Sequence, residues 1–234
     1  MNMNLFQYVL ILLVPLLGVN LYATLAELDL LMQVSQLLFI PGILGIYLKQ
    51  VKKPDFNAVI FISLFFIAQM NEIFEKSENL SLASLFLFIG SYIFLSREAI
   101  RNTERETASK RMLLYFVLLI LVIFYLLLTH VIEIKTYTSS TIEFAGYIIY
   151  YLNLLILGII SLIYYLNSYS KKSVYFITLV LAFIFADVFR DTANFYIKDS
   201  AILITGNLLW FTGLSFSLLF FLTPERKLRL MNLI

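Results

Sequence analysis

The chain has 234 residues, of which 61% are hydrophobic and only 14% charged, with a mean hydropathy of +0.91. Soluble domains sit near about 45–50% apolar and about 25% charged, so this composition points to an integral membrane protein and away from a water-soluble globule. The formal net charge of +2 is too small to suggest a nucleic-acid partner. The absence of cysteine excludes disulfides, thiolate nucleophiles and cysteine-ligated metals. His130 is the one histidine, so no paired-histidine metal motif can form.

Eight segments are long and apolar enough to cross a bilayer as helices, at roughly 5–23, 29–48, 57–75, 79–96, 112–130, 143–167, 173–195 and 200–222. Their runs are continuous, without the alternation of a strand. Helices also satisfy every backbone polar group within the segment, as hydrocarbon demands. The first segment follows no basic stretch and precedes no clear cleavage site, so it reads as a retained membrane helix. The expected fold is all-α: one polytopic membrane domain of eight transmembrane helices spanning 1–234.

The connecting segments carry a strong asymmetry. With eight crossings, one side holds Lys49, Lys52 and Lys53, then Arg97, Arg101, Arg105, Lys110 and Arg111, then Lys171 and Lys172, then Arg226, Lys227 and Arg229. These are 13 of the 17 basic residues; the other side holds Lys76, Lys135, Arg190 and Lys198. The positive-inside rule then places both termini in the cytoplasm. The longest connection, REAIRNTERETASKR at 97–111, suits a helical extension stabilised by charge pairs four residues apart. The second span carries PGILG at 41–45, a run of small residues where another helix can approach closely.

Two spans break their apolar character with a carboxylic acid. FFIAQMNEIFEK (65–76) carries Asn71 and Glu72, and AFIFADVFRD (182–191) carries Asp187. Both spans run in the same direction. At about 1.5 Å per residue the two acids lie roughly 21–23 Å along their helices, in the outer part of the hydrocarbon core. Gln33, Gln36, Gln69, Asn153 and Asn207 fall in the same outer half, whereas the inner half carries far fewer polar groups. Ionisable residues inside a membrane are costly and usually face the bundle interior. The expectation is a polar pocket opening outward and floored near Asn153. Glu72 and Asp187 are its candidate catalytic acids, with Gln36, Asn71, Asn153 and Asn207 as candidate binding groups. A plainer reading pairs Asp187 with Arg190 and Glu72 with Lys76 along their own helices. In the same vein Asn153 and Asn207 join helices, His130 is an ordinary interfacial residue, and Trp210, Tyr147, Tyr150 and Tyr151 serve packing. Two carboxylates with amide oxygens make a thin ligand set for a hard cation; neither metal nor cofactor is expected.

The layout resembles the YhhN family of eight-span membrane proteins, which includes the lysoplasmalogenases. QLLFIPGILGIYL (36–48) looks like the family's second span, with Gln36 where the family carries a lysine. FIAQMNEIF (66–74) is similar to its Gly-Asp-Ile-Phe stretch, with Asn71 and Glu72 in place of Gly-Asp. AFIFADVFRDTANFY (182–196) is similar to its Ser-Asp segment, with Ala186 and Asp187 in those places, and Ser91 stands near the family's span-four histidine. The resemblance implies hydrolysis of the vinyl ether of a lysoplasmalogen or related lysophospholipid, with Glu72 and Asp187 as an acid/base pair. The alternative is a bundle that binds membrane lipids or another ligand without catalysis.

Overall fold

The computed structural model describes residues 5–74, 78–103, 110–138, 140–168, 170–197 and 199–226. Among them run α1 (Leu5–Leu25), α2 (Asp29–Gln50), α3 (Phe56–Ile73), α4 (Glu78–Asn102), α5 (Lys110–Ile134), α6 (Thr141–Ser168), α7 (Lys171–Asp191) and α8 (Ser200–Leu222), with a π-helical turn (Thr192–Tyr196) completing α7. All eight α-helices are long and apolar enough to cross a membrane, and no strand accompanies them among the described residues. The protein is therefore an all-α bundle with the character of a multi-pass membrane protein. The main departure from the expected boundaries is α4, which runs beyond 96 to Asn102. The charged connection begins as helix there; residues 104–109 lie outside the described ones.

Local chemistry explains where the helices begin and end. The Asp55 side chain accepts from the Asn57 N–H at the start of α3, and Asp199 accepts from the Ala201 N–H at the start of α8. Ser170 and Ser173 cap α7 reciprocally, each hydroxyl accepting from the other's backbone N–H. α1 ends where Glu27 turns left-handed (φ 56°) and the Leu28 N–H reaches back to the Ala23 carbonyl, a Schellman closure.

α7 and α8 pack along their length, as do α3 with α4 and α1 with α2; α4 also lies on α6. In α2, Gly42 sits under the Leu12 side chain of α1, which would lie 2.6 Å from an added Cβ. Of the small-residue run at 41–45, Gly42 is thus a close helix contact, whereas Gly45 faces open space. α5 stands at the edge, packed chiefly on α6, and leaves Leu114, Tyr115, Leu118, Leu121 and Tyr125 exposed. At the centre Phe65 meets Phe61, Phe88, Tyr92, Phe183 and Trp210 with ring centroids 5.0–6.2 Å apart. This aromatic plate joins α3, α4, α7 and α8.

The expectation of few polar groups in the half opposite the acids is overturned. Glu98 near the end of α4 is 2% exposed, and Lys172 at the start of α7 is 7% exposed. Glu98 accepts from Lys172 Nζ at 3.2 Å, Asn57 Nδ2 at 3.1 Å and Asn102 Nδ2 at 2.7 Å, and pairs with Arg101 at 3.0 Å. Arg101 reaches on to Asp55 at 2.7 Å, and the Asp55 N–H donates to the Tyr47 hydroxyl at 2.8 Å. The network sits where sequence counting places basic residues as topology signals. One of those lysines is instead folded inward, its Nζ 5.0 Å from the centre of the Phe220 ring.

Removing Lys172 from this buried ion pair leaves the Glu98 carboxylate paired only with the largely exposed Arg101 among the described cations. Lys172→Ala is expected to lower unfolding stability by about 3 kcal/mol, measured by thermal unfolding in detergent. The Asp55 carboxyl is pushed up by burial, but the Arg101 hydrogen bond and the Asn57 N–H outweigh this and hold it below the ordinary carboxylate range. The ionised form is thus favoured by folding. Its stabilisation is complete above the usual carboxylate pKa and is lost as pH falls through the depressed one. The stability advantage of the parent over Asp55→Asn, which keeps an N-cap acceptor, should therefore shrink below about pH 4.

Candidate functional site

At the opposite end of the bundle, where α2, α4, α6 and α8 begin and α3 and α7 finish, a polar cavity of about 450 Å³ opens among the helices. α2 supplies Asp29, Gln33 and Gln36 to its wall, and α3 supplies Gln69 and Glu72. α6 supplies Glu143, Tyr147 and Tyr150. From α7 and its π-helical turn come Arg190, Asp191, Asn194 and Phe195. Phe88 of α4 links this wall to the aromatic plate beneath, with its ring 5.0 Å from Phe65 and 6.4 Å from Tyr150.

Arg190 organises the charged side of the cavity. Its Nη2 donates to Asp187 Oδ1 at 3.1 Å, and its Nη1 lies 3.7 Å from Glu72 Oε2. The acids of α3 and α7 thus converge on one guanidinium, and the helix-local pairing of Asp187 with Arg190 holds at the same time. Lys76, the other local partner considered, lies outside the described residues. Glu72 also accepts from Gln69 Nε2 at 2.9 Å, one turn back on its own helix. Asp187 accepts from the Tyr150 hydroxyl at 2.5 Å and is 4% exposed. The two acids differ in access: Glu72 is part of the cavity wall, whereas Asp187 stands behind it, holding Arg190 and Tyr150, which are.

The amide candidates separate. Gln36 Nε2 donates to Asn207 Oδ1 at 2.9 Å, and Asn207 Nδ2 donates to Thr24 Oγ1 at 3.3 Å, so this pair faces the cavity while tying α1, α2 and α8 together. Asn153 neither floors the pocket nor lines it. It sits on α6 with a buried Oδ1 that finds no hydrogen-bond partner. Of the aromatic plate, Phe88 reaches the cavity wall instead. Asn71 is half-buried outside the wall and contributes its carbonyl to the end of α3, accepting from the Phe74 N–H at 3.1 Å. Ser91, at the position near the family's histidine, is fully buried and donates to the Phe88 carbonyl at 2.7 Å.

Among the residues at or beside the site that sequence reasoning missed, four join its hydrogen-bonded groups. Tyr150 and Tyr151 were assigned to packing, and both instead donate to carboxylates, Tyr150 to Asp187 and Tyr151 to Asp191. Asp191 lies in the wall; its spacing of four from Asp187 was the available signal, since residues so spaced share a helix face. His130 is not interfacial but 4% exposed, with Nε2 3.0 Å from the Tyr151 hydroxyl and 3.7 Å from Asp191. Among the described residues no group of three or more His, Cys, Asp and Glu side chains is arranged to hold a metal ion. The chemistry on offer is that of carboxylates, a guanidinium, phenols and amides around space for water.

The position of Arg190 depends on a close helix crossing. At Gly206 of α8 an added Cβ would lie 3.2 Å from both the Ala186 carbonyl oxygen and the Arg190 amide nitrogen. Backbone atoms cannot yield as a side-chain tip does. Gly206→Ala should destabilise the protein by about 1–3 kcal/mol in thermal unfolding, while Gly18→Ala, with open space at its Cβ, should not destabilise it. Comparisons with protein-family models, curated proteins and solved structures found no match to this chain.

Proposed function

We propose that this protein is a membrane lipid hydrolase that cleaves the vinyl ether of a lysoplasmalogen or a related single-chain lipid at the polar cavity. The observation that carries the proposal is the convergence of Glu72 and Asp187 on Arg190 at the wall of a water-accommodating cavity. The basic-residue asymmetry supports cytoplasmic termini, and with them a cavity facing the outer leaflet of the cell membrane.

Glu72 is the group presented to substrate. Its protonated carboxyl donates a proton to the vinyl carbon remote from the ether oxygen, and the adjoining carbon becomes an oxocarbenium ion. The carboxylate left behind, with Arg190 3.7 Å away, faces that cation and takes a proton from an attacking water. The hemiacetal then collapses to a fatty aldehyde and a glycerophospho alcohol, with Glu72 protonated again. Asp187 acts through others: it fixes Arg190 and the Tyr150 hydroxyl beside the reacting carboxyl. Gln36 and Asn207 line the far side as polar contacts for the head group.

One observation favours a second reading. Arg190 already pairs with both acids, as in a binding bundle in which charge serves stability and ligand recognition alone.

Purified protein in lipid nanodiscs with lysoplasmalogen should release fatty aldehyde. Glu72→Gln should cut the rate by about 100-fold or more, and Asp187→Asn should lower it less steeply. Parent protein that releases no aldehyde, or a Glu72→Gln variant as fast as the parent, sinks the hydrolase. Thermal stabilisation of an inactive parent by the same lipid would then mark the binding bundle.

A further inference from the structure

We propose that Asp191, Tyr151 and His130 form a proton relay that connects the cavity to a store inside the bundle. Asp191 ends α7 and lines the cavity. Tyr151 of α6 donates its hydroxyl proton to Asp191 Oδ2, and its oxygen lies 3.0 Å from Nε2 of His130 on α5. His130 is absent from the cavity wall and 4% exposed. Because the phenolic hydrogen is committed to the carboxylate, the phenolic oxygen is left to accept, and the donor it meets is the imidazole Nε2–H. The three groups therefore form a chain with one direction, nitrogen to phenol to carboxylate, already set for proton hopping.

The transfer balances without any co-reactant. Starting from an imidazolium, the Nε2–H bond breaks and its electron pair stays on nitrogen. That proton joins the Tyr151 oxygen, while the proton Tyr151 already carried forms a bond to Asp191 Oδ2. An imidazolium and a carboxylate become a neutral imidazole and a carboxylic acid facing the cavity; the reverse sequence returns the proton to the store. The groups facing His130 are Tyr151 from α6, Asp191 from α7 and Tyr196 from the π-helical turn. The Tyr196 hydroxyl donates to the His130 carbonyl at 3.4 Å, and its ring lies 5.8 Å away. Asp187 and Arg190 precede Asp191 on the same helix, and Glu133 follows His130 on α5. The relay makes Asp191 a second proton-exchanging carboxyl of the cavity, beside Glu72, and gives the buried histidine a task that packing does not explain. It holds whether or not the cavity hydrolyses a lipid, and its test reads no turnover.

His130 is the one histidine in the chain, so its imidazole gives a single set of signals in histidine-labelled protein purified without a histidine tag. Exchange of its Nε2 proton with water, followed by NMR in lipid nanodiscs, should slow by about tenfold or more in Tyr151→Phe and in Asp191→Asn. Tyr196→Phe, which alters the other side of the same histidine, should stay within about twofold of the parent, since that tyrosine lies off the transfer path. Parent-like exchange in Tyr151→Phe overturns the relay, as does an equal slowing in Tyr196→Phe, which would mean general loosening around the ring. If Tyr151→Phe fails to fold, parent-like exchange in Asp191→Asn overturns it alone.

Discussion

A guanidinium held among carboxylates inside an apolar bundle is the constraint around which this protein is arranged. Arg190 cannot shed its charge, and moving it from water into the bundle is costly unless partners hold it. Asp187 supplies one partner from its own helix and Glu72 a second from α3, so the end of α7 is bound to the end of α3. Tyr150 satisfies the remaining side of Asp187 and brings in α6. The approach of α8 at Gly206, against the Arg190 backbone, closes the group from the fourth side. Four helices thus meet at one charge, and the cavity is the space they leave.

The same logic recurs at the other end with the signs exchanged. There a carboxylate, Glu98, is the buried charge, and a lysine, an arginine and two asparagines converge on it from α3, α4 and α7. Between the two polar clusters lies the aromatic plate around Phe65. The bundle is pinned at both ends by charge and filled in the middle by rings. This arrangement suits helices whose apolar surfaces gain little from one another in lipid, where packing and interhelical polar contacts supply the specificity.

The eight spans were legible because hydrocarbon thickness dictates their length and apolar character, whereas the caps at Asp55 and Ser170 emerged only from the structure. The shared level of Glu72 and Asp187 was legible from rise per residue. What depth could not give was azimuth: Asp187 and Glu72 sit at similar heights, but one stands behind the wall and the other in it. Asn153 shows the same limit, since a place along α6 did not bring it into the cavity wall. Lys172 and Glu98 were hidden because charged residues at span ends are ordinarily solvated, and only the packing of α4 on α3 and α6, with Lys172 reaching across from α7, turns them inward. Tyr150 and Tyr151 were hidden among fifteen tyrosines whose side chains look alike until the carboxylates of α7 are found beside them.

The π-helical turn at Thr192–Tyr196, closed by the Ile197 N–H reaching the Thr192 carbonyl at 2.9 Å, has a structural consequence of its own. Such a turn accommodates one more residue than an α-turn. Here it sets adjacent aromatic rings on two sides of a partition, Phe195 in the cavity wall and Tyr196 against the His130 backbone. Chain length in this segment is therefore a chemical variable as well as a geometric one. A single deletion that restored regular winding would shift both rings by one position, taking Phe195 out of the cavity wall and Tyr196 away from the His130 backbone.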